Sequence, residues 1–203
     1  MAIEDRKQRE KEQMRKLILE AAKDIFLEKG YYQTSIRNIA DRIEYSPGTI
    51  YLYFKEKDEI FYALHNQSFG LLFEQFAPLA LVGNPFERLK AMGRLYMDFA
   101  FKNKDLYDLM FIMNAPMNML HDACDWKMGH RTFDTLTYTL KECQELGYFK
   151  GHDLQPLSFM IWSALHGMCA LYCRDRMGVM HNIDQKEMMG KSYASFEAIL
   201  EKI

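Results

Sequence analysis

Between Met14 and Phe54 the chain spells three helices and two breaks, and this close punctuation leaves few folds open. Met14, Ile18, Ala21 and Ile25 recur at spacings of four, three and four, and Leu17, Ala22 and Phe26 widen the stripe, so a first amphipathic helix is expected from Arg6 to Lys29. Gly30 stands where a left-handed C-cap is wanted. The charged segment 5–16 reads either as a further stretch of that helix or as a flexible arm. Ile36, Ile39, Ala40 and Ile43 give a second, shorter helix that Thr34 or Ser35 can cap. After a break at Glu44-Tyr45-Ser46, Ser46 caps a third helix over 47–54, and Pro47 fits its first position because the missing N–H is an orphan there in any case. Lys55 to Asp58 breaks the chain again, and Asp58 opens a fourth helix to about residue 77.

The rest of the chain repeats this grammar. Helices are expected over 85–102, 104–113, 120–146, 153–175 and 184–202, separated by segments such as Gly83-Asn84-Pro85 and Gly147 to Gly151. No alternation of period two survives inspection, and 5 prolines and 11 glycines against 15 methionines favour helix over turn, so the expected class is all-α. Length allows one domain, or a small module joined to a larger one. Hydrophobic residues at 49% exclude an intrinsically disordered chain.

Charge and motifs narrow the function classes. A net charge of −2 and a pI of about 6.3 exclude binding to nucleic acid by bulk charge, though not through a local basic surface. Residues 1–57 carry 12 basic and 10 acidic side chains, and residues 58–203 carry 14 and 18, so the small basic excess lies at the N-terminal end. No run approaches 18 uncharged apolar residues, so no membrane span and no membrane partner are expected. The densely charged N-terminus leads into no apolar run and is not read as a secretory signal; reduced thiols in the cytoplasm are the expectation. No phosphate-binding glycine loop, nucleophile elbow or His-Glu-x-x-His is present, so neither an enzyme nor a cofactor is expected.

Two short helices joined by a three- to four-residue turn and set on a longer one are the layout of a helix-turn-helix. Its second helix begins with small residues, Ser46, Pro47, Gly48 and Thr49, which would let it enter a DNA major groove. Tyr51 and Tyr53 can place hydroxyls on phosphates, and Lys55 and Lys57 add charge nearby. The pattern alone also describes a plain helical bundle with a Pro-Gly turn.

The residues carry a more specific resemblance. Ile25 to Gly30, Thr34 to Ala40, Ser46 to Phe54 and Lys57 match the DNA-binding region of TetR-family transcriptional regulators, which this stretch resembles closely. One departure is clear: the family usually has Gly-Val before the serine, and this chain has Glu44-Tyr45. The resemblance implies a homodimer with a DNA-binding domain over 1–57 and a helical effector-binding and dimerisation domain over 58–203. It implies a near-palindromic double-stranded operator, contacted through Thr34, Ser35, Arg37, Ser46, Pro47, Gly48, Thr49, Tyr51, Tyr53, Lys55 and Lys57, while Tyr45, at the departure, could shift the turn geometry or contact the DNA itself. It also implies repression relieved by a small-molecule effector. Trp162-x-x-x-His166-Gly167, preceded by Leu146 to Phe149, resembles a Trp-His-Gly pattern in the C-terminal domain of one subgroup.

The last helix shows Met189, Tyr193, Phe196, Leu200 and Ile203 at four, three, four, three, flanked by Met188, Ser192, Ser195 and Ile199. The first row is expected to form the dimer seam, the alternative being docking on its own subunit. Phe69, Phe73, Phe99, Met110, Phe111, Met113, Trp126, Phe133, Trp162 and His166 could line a cavity for a lipophilic ligand, and the same residues serve equally as plain core. His121-x-x-Cys124 and His166-x-x-Cys169-x-x-x-Cys173 leave metal or thiol sensing as an alternative, although no metal site is assigned. Control by a protein partner is the remaining one.

Overall fold

The computed structural model describes residues 2–115, 127–180 and 183–203. Among them are the helices α1 (Ala2–Lys29), α2 (Ile36–Arg42), α3 (Pro47–Tyr51), α4 (Lys57–Phe76), α5 (Pro85–Lys102), α6 (Lys104–Tyr107), α7 (Lys127–Glu145), α8 (Leu154–Cys173) and α9 (Gln185–Leu200), with no strand. The all-α reading and most helix limits therefore stand. These residues fall into two compact units, Met1–Phe69 with Asp105–Lys127, and Gly70–Lys104 with Met128–Ile203. The units do not part at residue 57, where the DNA-binding function was expected to end.

In the first unit, the apolar stripe of α1 supplies Ile18, Ala22, Ile25 and Phe26 to a core shared with Ile39, Ala40, Ile50, Phe54, Ile60 and Phe61. Each such large side chain contributes on the order of 1.5–3 kcal/mol when taken from water. Phe26 meets Phe61 edge-on at 5.6 Å and stacks on Tyr31 at 5.7 Å. α1 ends at Gly30, whose φ of +79° is the left-handed cap its position called for. Its charged N-terminal stretch is helical from Ala2, which decides between extension and flexible arm. α3 is shorter than expected, but single-turn hydrogen bonds from the Tyr53 and Phe54 N–H groups to Ile50 O, at 2.9 and 3.0 Å, carry the coil to Phe54.

The helix expected over 104–113 is a single α turn followed by a π turn over Asp108–Ile112, closed by Met113 N–H donating to Asp108 O at 2.8 Å. His65 on α4 lies beside it, 1% exposed, with Nε2 3.2 Å from Met110 O. Burial pushes its imidazole down to about 4, so the ring is neutral at pH 7.

The second unit packs α5, α7, α8 and α9. Asn84 caps α5 by accepting from the Phe86 and Glu87 N–H groups at 2.9 and 3.1 Å. Phe86 stacks on Tyr148 at 4.3 Å, within a core that includes Leu89, Leu140, Phe149, Leu157, Ile161 and Leu200. Tyr193 of α9 reaches α5 and donates its hydroxyl to Lys90 O at 2.6 Å. Its ring occupies the place a Cβ would take on Gly93. Gly93→Ala is therefore expected to cost about 1–3 kcal/mol through overpacking; an unfolding midpoint equal to wild type in urea would show that α5 and α9 do not meet there.

One expectation needs correction and one needs completing. First, Met189, Tyr193 and Leu200 of the supposed dimer seam are buried within their own unit, Phe196 packs on the same core, and Ile203 is exposed. The seam is the inner face of α9, because helical periodicity reports that a face is buried and not what buries it. Exposed apolar positions on these helices outside the expected seam include Phe159, Met160 and Leu171 on α8 and Ile199 on α9. Secondly, α8 holds 20 residues without Lys, Arg, Asp or Glu, so by length and composition alone it is long and apolar enough to cross a membrane; a core helix of a globular protein passes the same test, and one such helix is not a membrane signal. Its Ser, Gln and His residues hid this run from inspection. Leu157, Ile161, Leu165 and Cys169 form the buried side of this helix.

Candidate nucleic-acid interface

The turn between α2 and α3 sets the geometry of the site. α2 begins with a reciprocal cap: Ser35 Oγ accepts from Asn38 N–H at 3.2 Å, and Asn38 Oδ1 accepts from Ser35 N–H at 3.0 Å. It ends in a Schellman motif, in which Tyr45 N–H donates to Ala40 O at 3.0 Å and Glu44 N–H to Asp41 O at 3.3 Å. That motif requires a left-handed residue at its fifth position, and Glu44 adopts it with φ +59°. A side chain there costs about 1–2 kcal/mol, which explains why glycine is the usual choice. Glu44→Gly is expected to raise stability by about 0.5–1 kcal/mol, since glycine's greater freedom in the unfolded chain offsets part of the relief. A lowered midpoint on thermal unfolding would contradict the strain.

α3 starts at Ser46, whose Oγ accepts from Thr49 N–H at 3.2 Å and lies 3.1 Å from Thr49 Oγ1. Ser35, Arg37, Tyr45, Ser46, Gly48, Tyr51 and Lys55 are exposed, and Pro47, Thr49 and Tyr53 are half-buried. The structure thus brings most of the expected DNA-contacting side chains to the surface on or beside two capped helices. Leu52, 78% exposed, stands beside them on the surface; an isolated leucine in a helical pattern reads as core in sequence.

Two of the expected contacts have partners within the fold. Thr34 is 3% exposed, and its hydroxyl donates to Gly30 O at 2.8 Å, so its side chain is closed to DNA. The hydroxyl satisfies the last turn of α1, a role that a sequence match cannot separate from contact. Lys57 Nζ donates to Tyr31 O and Thr34 O, both at 2.8 Å, and sits 4.1 Å from the centre of the Tyr31 ring. Burial lowers its pKa while the neighbouring Asp58 raises it. The Tyr31 hydroxyl in turn donates to Asp58, and this contact together with burial holds the phenol well above its ordinary value. Lys57, Tyr31 and Asp58 therefore clamp the loop after α1 to the start of α4. Arg15, also missed, donates from Nη1 to Tyr53 O at 3.2 Å and covers the Phe54 ring at 4.1 Å.

The ligand candidates are dispersed over both units. Phe69, Met110, Phe111 and Met113 belong to the first, where Phe69 and Phe111 meet edge-on at 5.3 Å. Phe73, Phe99, Phe133, Trp162 and His166 belong to the second; Phe99 is buried, and the Arg131 guanidinium covers the Phe73 ring at 4.6 Å. Phe133, Trp162 and His166 do come together, at 6.0 and 5.7 Å, with the Tyr96 hydroxyl 3.3 Å from His166 Nδ1. Trp126, with His121 and Cys124, lies outside the described residues. Cys169 is fully buried with its thiol pKa pushed far up, burial pushes Cys143 up to about 11, and no group of three metal-ligating side chains occurs among the described residues.

Comparison with known proteins agrees with this geometry. The family described as "Bacterial regulatory proteins, tetR family" matches residues 18–64, and "Tetracyclin repressor-like, C-terminal domain" matches residues 89–201. The fatty acid metabolism regulator protein of Bacillus subtilis (strain 168) is 38% identical over 58 residues, 29% of this chain and 30% of that protein, so the chain spans under a third of that relative. A crystal structure of a TetR-family transcriptional regulator from Syntrophomonas wolfei superposes with a TM-score of 0.72 at 26% identity, covering 93% of this chain and 95% of the other. The regulator FadR of Bacillus subtilis, solved in complex with stearoyl-CoA, shares the fold with a TM-score of 0.71 at 19% identity over 88% of this chain and 95% of that one. Capped helix-turn-helix, helical second unit and a C-terminal match spanning more than half of the sequence lead to one conclusion: the chain belongs to the TetR family of transcriptional regulators.

Proposed function

We propose that the protein is a cytoplasmic homodimeric repressor that a small lipophilic ligand releases from a near-palindromic DNA operator. The observation that carries the DNA part is the exposed row of Tyr45, Ser46, Gly48 and Tyr51 on the capped helix-turn-helix. Here the DNA-binding domain is residues 1–57, and residues 58–203 bind effector and partner. A five-residue recognition helix buries little surface alone, so two copies about one DNA turn (~34 Å) apart supply affinity and select a palindrome. The exposed apolar residues of α8 and α9 supply the surface through which the copies join.

The ligand part rests on Phe133, Trp162, His166 and Tyr96, an apolar cluster with one polar pair, and on the stearoyl-CoA bound by the Bacillus subtilis relative. A fatty acyl thioester is the ligand class we favour. Ligand and DNA then oppose each other reciprocally, and a coupling of about 1–3 kcal/mol changes DNA affinity by roughly 5–150-fold. Titrating stearoyl-CoA into the protein–operator complex, followed by fluorescence anisotropy, tests this. Release at ligand concentrations that leave free DNA unaffected supports the reading. Full occupancy of the operator at saturating ligand removes this ligand class.

A further inference from the structure

Lys7, Lys11, Met14 and Ile18 follow one another at four, three and four on a single face of α1. From Met14 onward this face is turned into the core of the first unit. Upstream it changes from apolar to lysine, and there Lys7, Glu10 and Lys11 line an open groove whose other wall is Leu52 and Tyr53. Those two residues directly follow α3, next to the exposed Tyr51. One turn further along α1, Arg15 binds Tyr53 O at 3.2 Å and rests on Phe54. The helical N-terminus is thus anchored at a fixed place beside the recognition helix.

The charge of this groove is positive. Residues 1–16 carry six basic and four acidic side chains. Glu10, the acid in the groove wall, is paired with Arg6 at 2.8 Å, and Glu12 accepts from Gln8 at 2.7 Å. Lys16 and Lys23 have carboxylates at 3.9 and 4.0 Å, whereas Lys7 and Lys11 have none among the described residues. Two exposed ammonium groups without counter-ions, on flexible stems beside a tyrosine and a leucine, suit a sugar-phosphate backbone: point charges for the phosphates, with apolar and aromatic surface for the sugars.

We infer that Lys7 and Lys11 form an additional DNA-backbone site, in which phosphates of the duplex engaged by α3 seat in the groove between the N-terminal part of α1 and Leu52-Tyr53. This rests on the DNA-binding reading above. The site carries no sequence information; it adds affinity and fixes the register of the recognition helix on the duplex. A neutralised phosphate releases condensed counter-ions, so each lysine adds about 0.9 to the slope of log affinity against log salt.

The test uses the full chain and a duplex selected by the wild-type protein. Binding is titrated across salt for wild type, for Lys7→Ala/Lys11→Ala, and for Lys16→Ala as a control on another face of α1. The double variant is expected to flatten the slope by about 1.8, so its affinity deficit shrinks about 12-fold between about 50 and 200 mM salt. Lys16→Ala and Lys7→Arg/Lys11→Arg are expected to keep the wild-type slope. Parallel slopes for wild type and the double alanine variant, with equal helical circular dichroism, would overturn the site while leaving DNA binding intact. Failure of the wild type itself to bind any duplex would overturn the DNA-binding reading, and the site with it.

Discussion

Phe159→Glu with Ile199→Glu is expected to leave the protein folded, monomeric and without measurable specific DNA binding. Both side chains are large, apolar and more than half exposed, at 60% and 58%. On a free monomer two added carboxylates meet water and cost little. In a closed dimer interface each charge would be desolvated without a partner, which costs several kcal/mol per group, and symmetry applies the cost twice. DNA affinity falls further than dimer affinity, because two linked heads gain about 10²–10⁴ in avidity over one. Sedimentation velocity gives the mass, and anisotropy on the wild-type operator gives the affinity. A wild-type-sized dimer would move the interface away from the outer faces of α8 and α9. The inner-face alternative, Tyr193→Glu with Leu200→Glu, is expected to unfold the second unit, since both residues are buried within it at 7% and 4% exposure.

Lys57→Met is expected to destabilise the first unit by about 1.5–3 kcal/mol. Methionine keeps the apolar stem and removes the ammonium. The Tyr31 and Thr34 carbonyls then lose the donor they share at 2.8 Å. Tyr31 O keeps the Thr34 N–H at 3.2 Å, so the cost of an unpaired buried acceptor, about 1–3 kcal/mol, falls on Thr34 O alone, and the cation over the Tyr31 ring adds roughly 0.5–1 kcal/mol. Half-burial of Lys57 lets water satisfy part of this loss, which keeps the total in the lower half of the sum. Guanidinium unfolding monitored by circular dichroism reads the effect. A wild-type midpoint would mean that Lys57 faces solvent, and would return it to the phosphate contacts that the sequence match assigned to it.

Lys57 shows where sequence reading stops. The helix-turn-helix was legible because each of its breaks is written in residues with one strong local use: Gly30 in the left-handed region, Ser35 and Ser46 as caps, Pro47 at a first helical position. Those interactions span a few residues, so spacing reveals them. Lys57 reaches 23 and 26 residues back along the chain, and Thr34 turns its hydroxyl inward, so neither role leaves a local mark. The seam on α9 failed for a related reason. Met189, Tyr193 and Leu200 have the period of a buried face, and a protomer core imprints the same period as a partner. The Glu44-Tyr45 departure, in contrast, was visible in sequence, and its consequence became definite only with the left-handed φ at Glu44. The ligand candidates were chosen by residue type, and residue type does not separate a pocket wall from filled core, as the buried Phe69, Phe99 and Met110 show.

Selection of the purified protein on a pool of random duplex DNA, followed by sedimentation of the protein on the enriched sequence, tests the central claim most directly. The account predicts a near-palindrome with half-sites about one helical turn apart, bound by two copies of the chain, with affinity falling steeply as salt rises. Properly folded protein that enriches no sequence would contradict it.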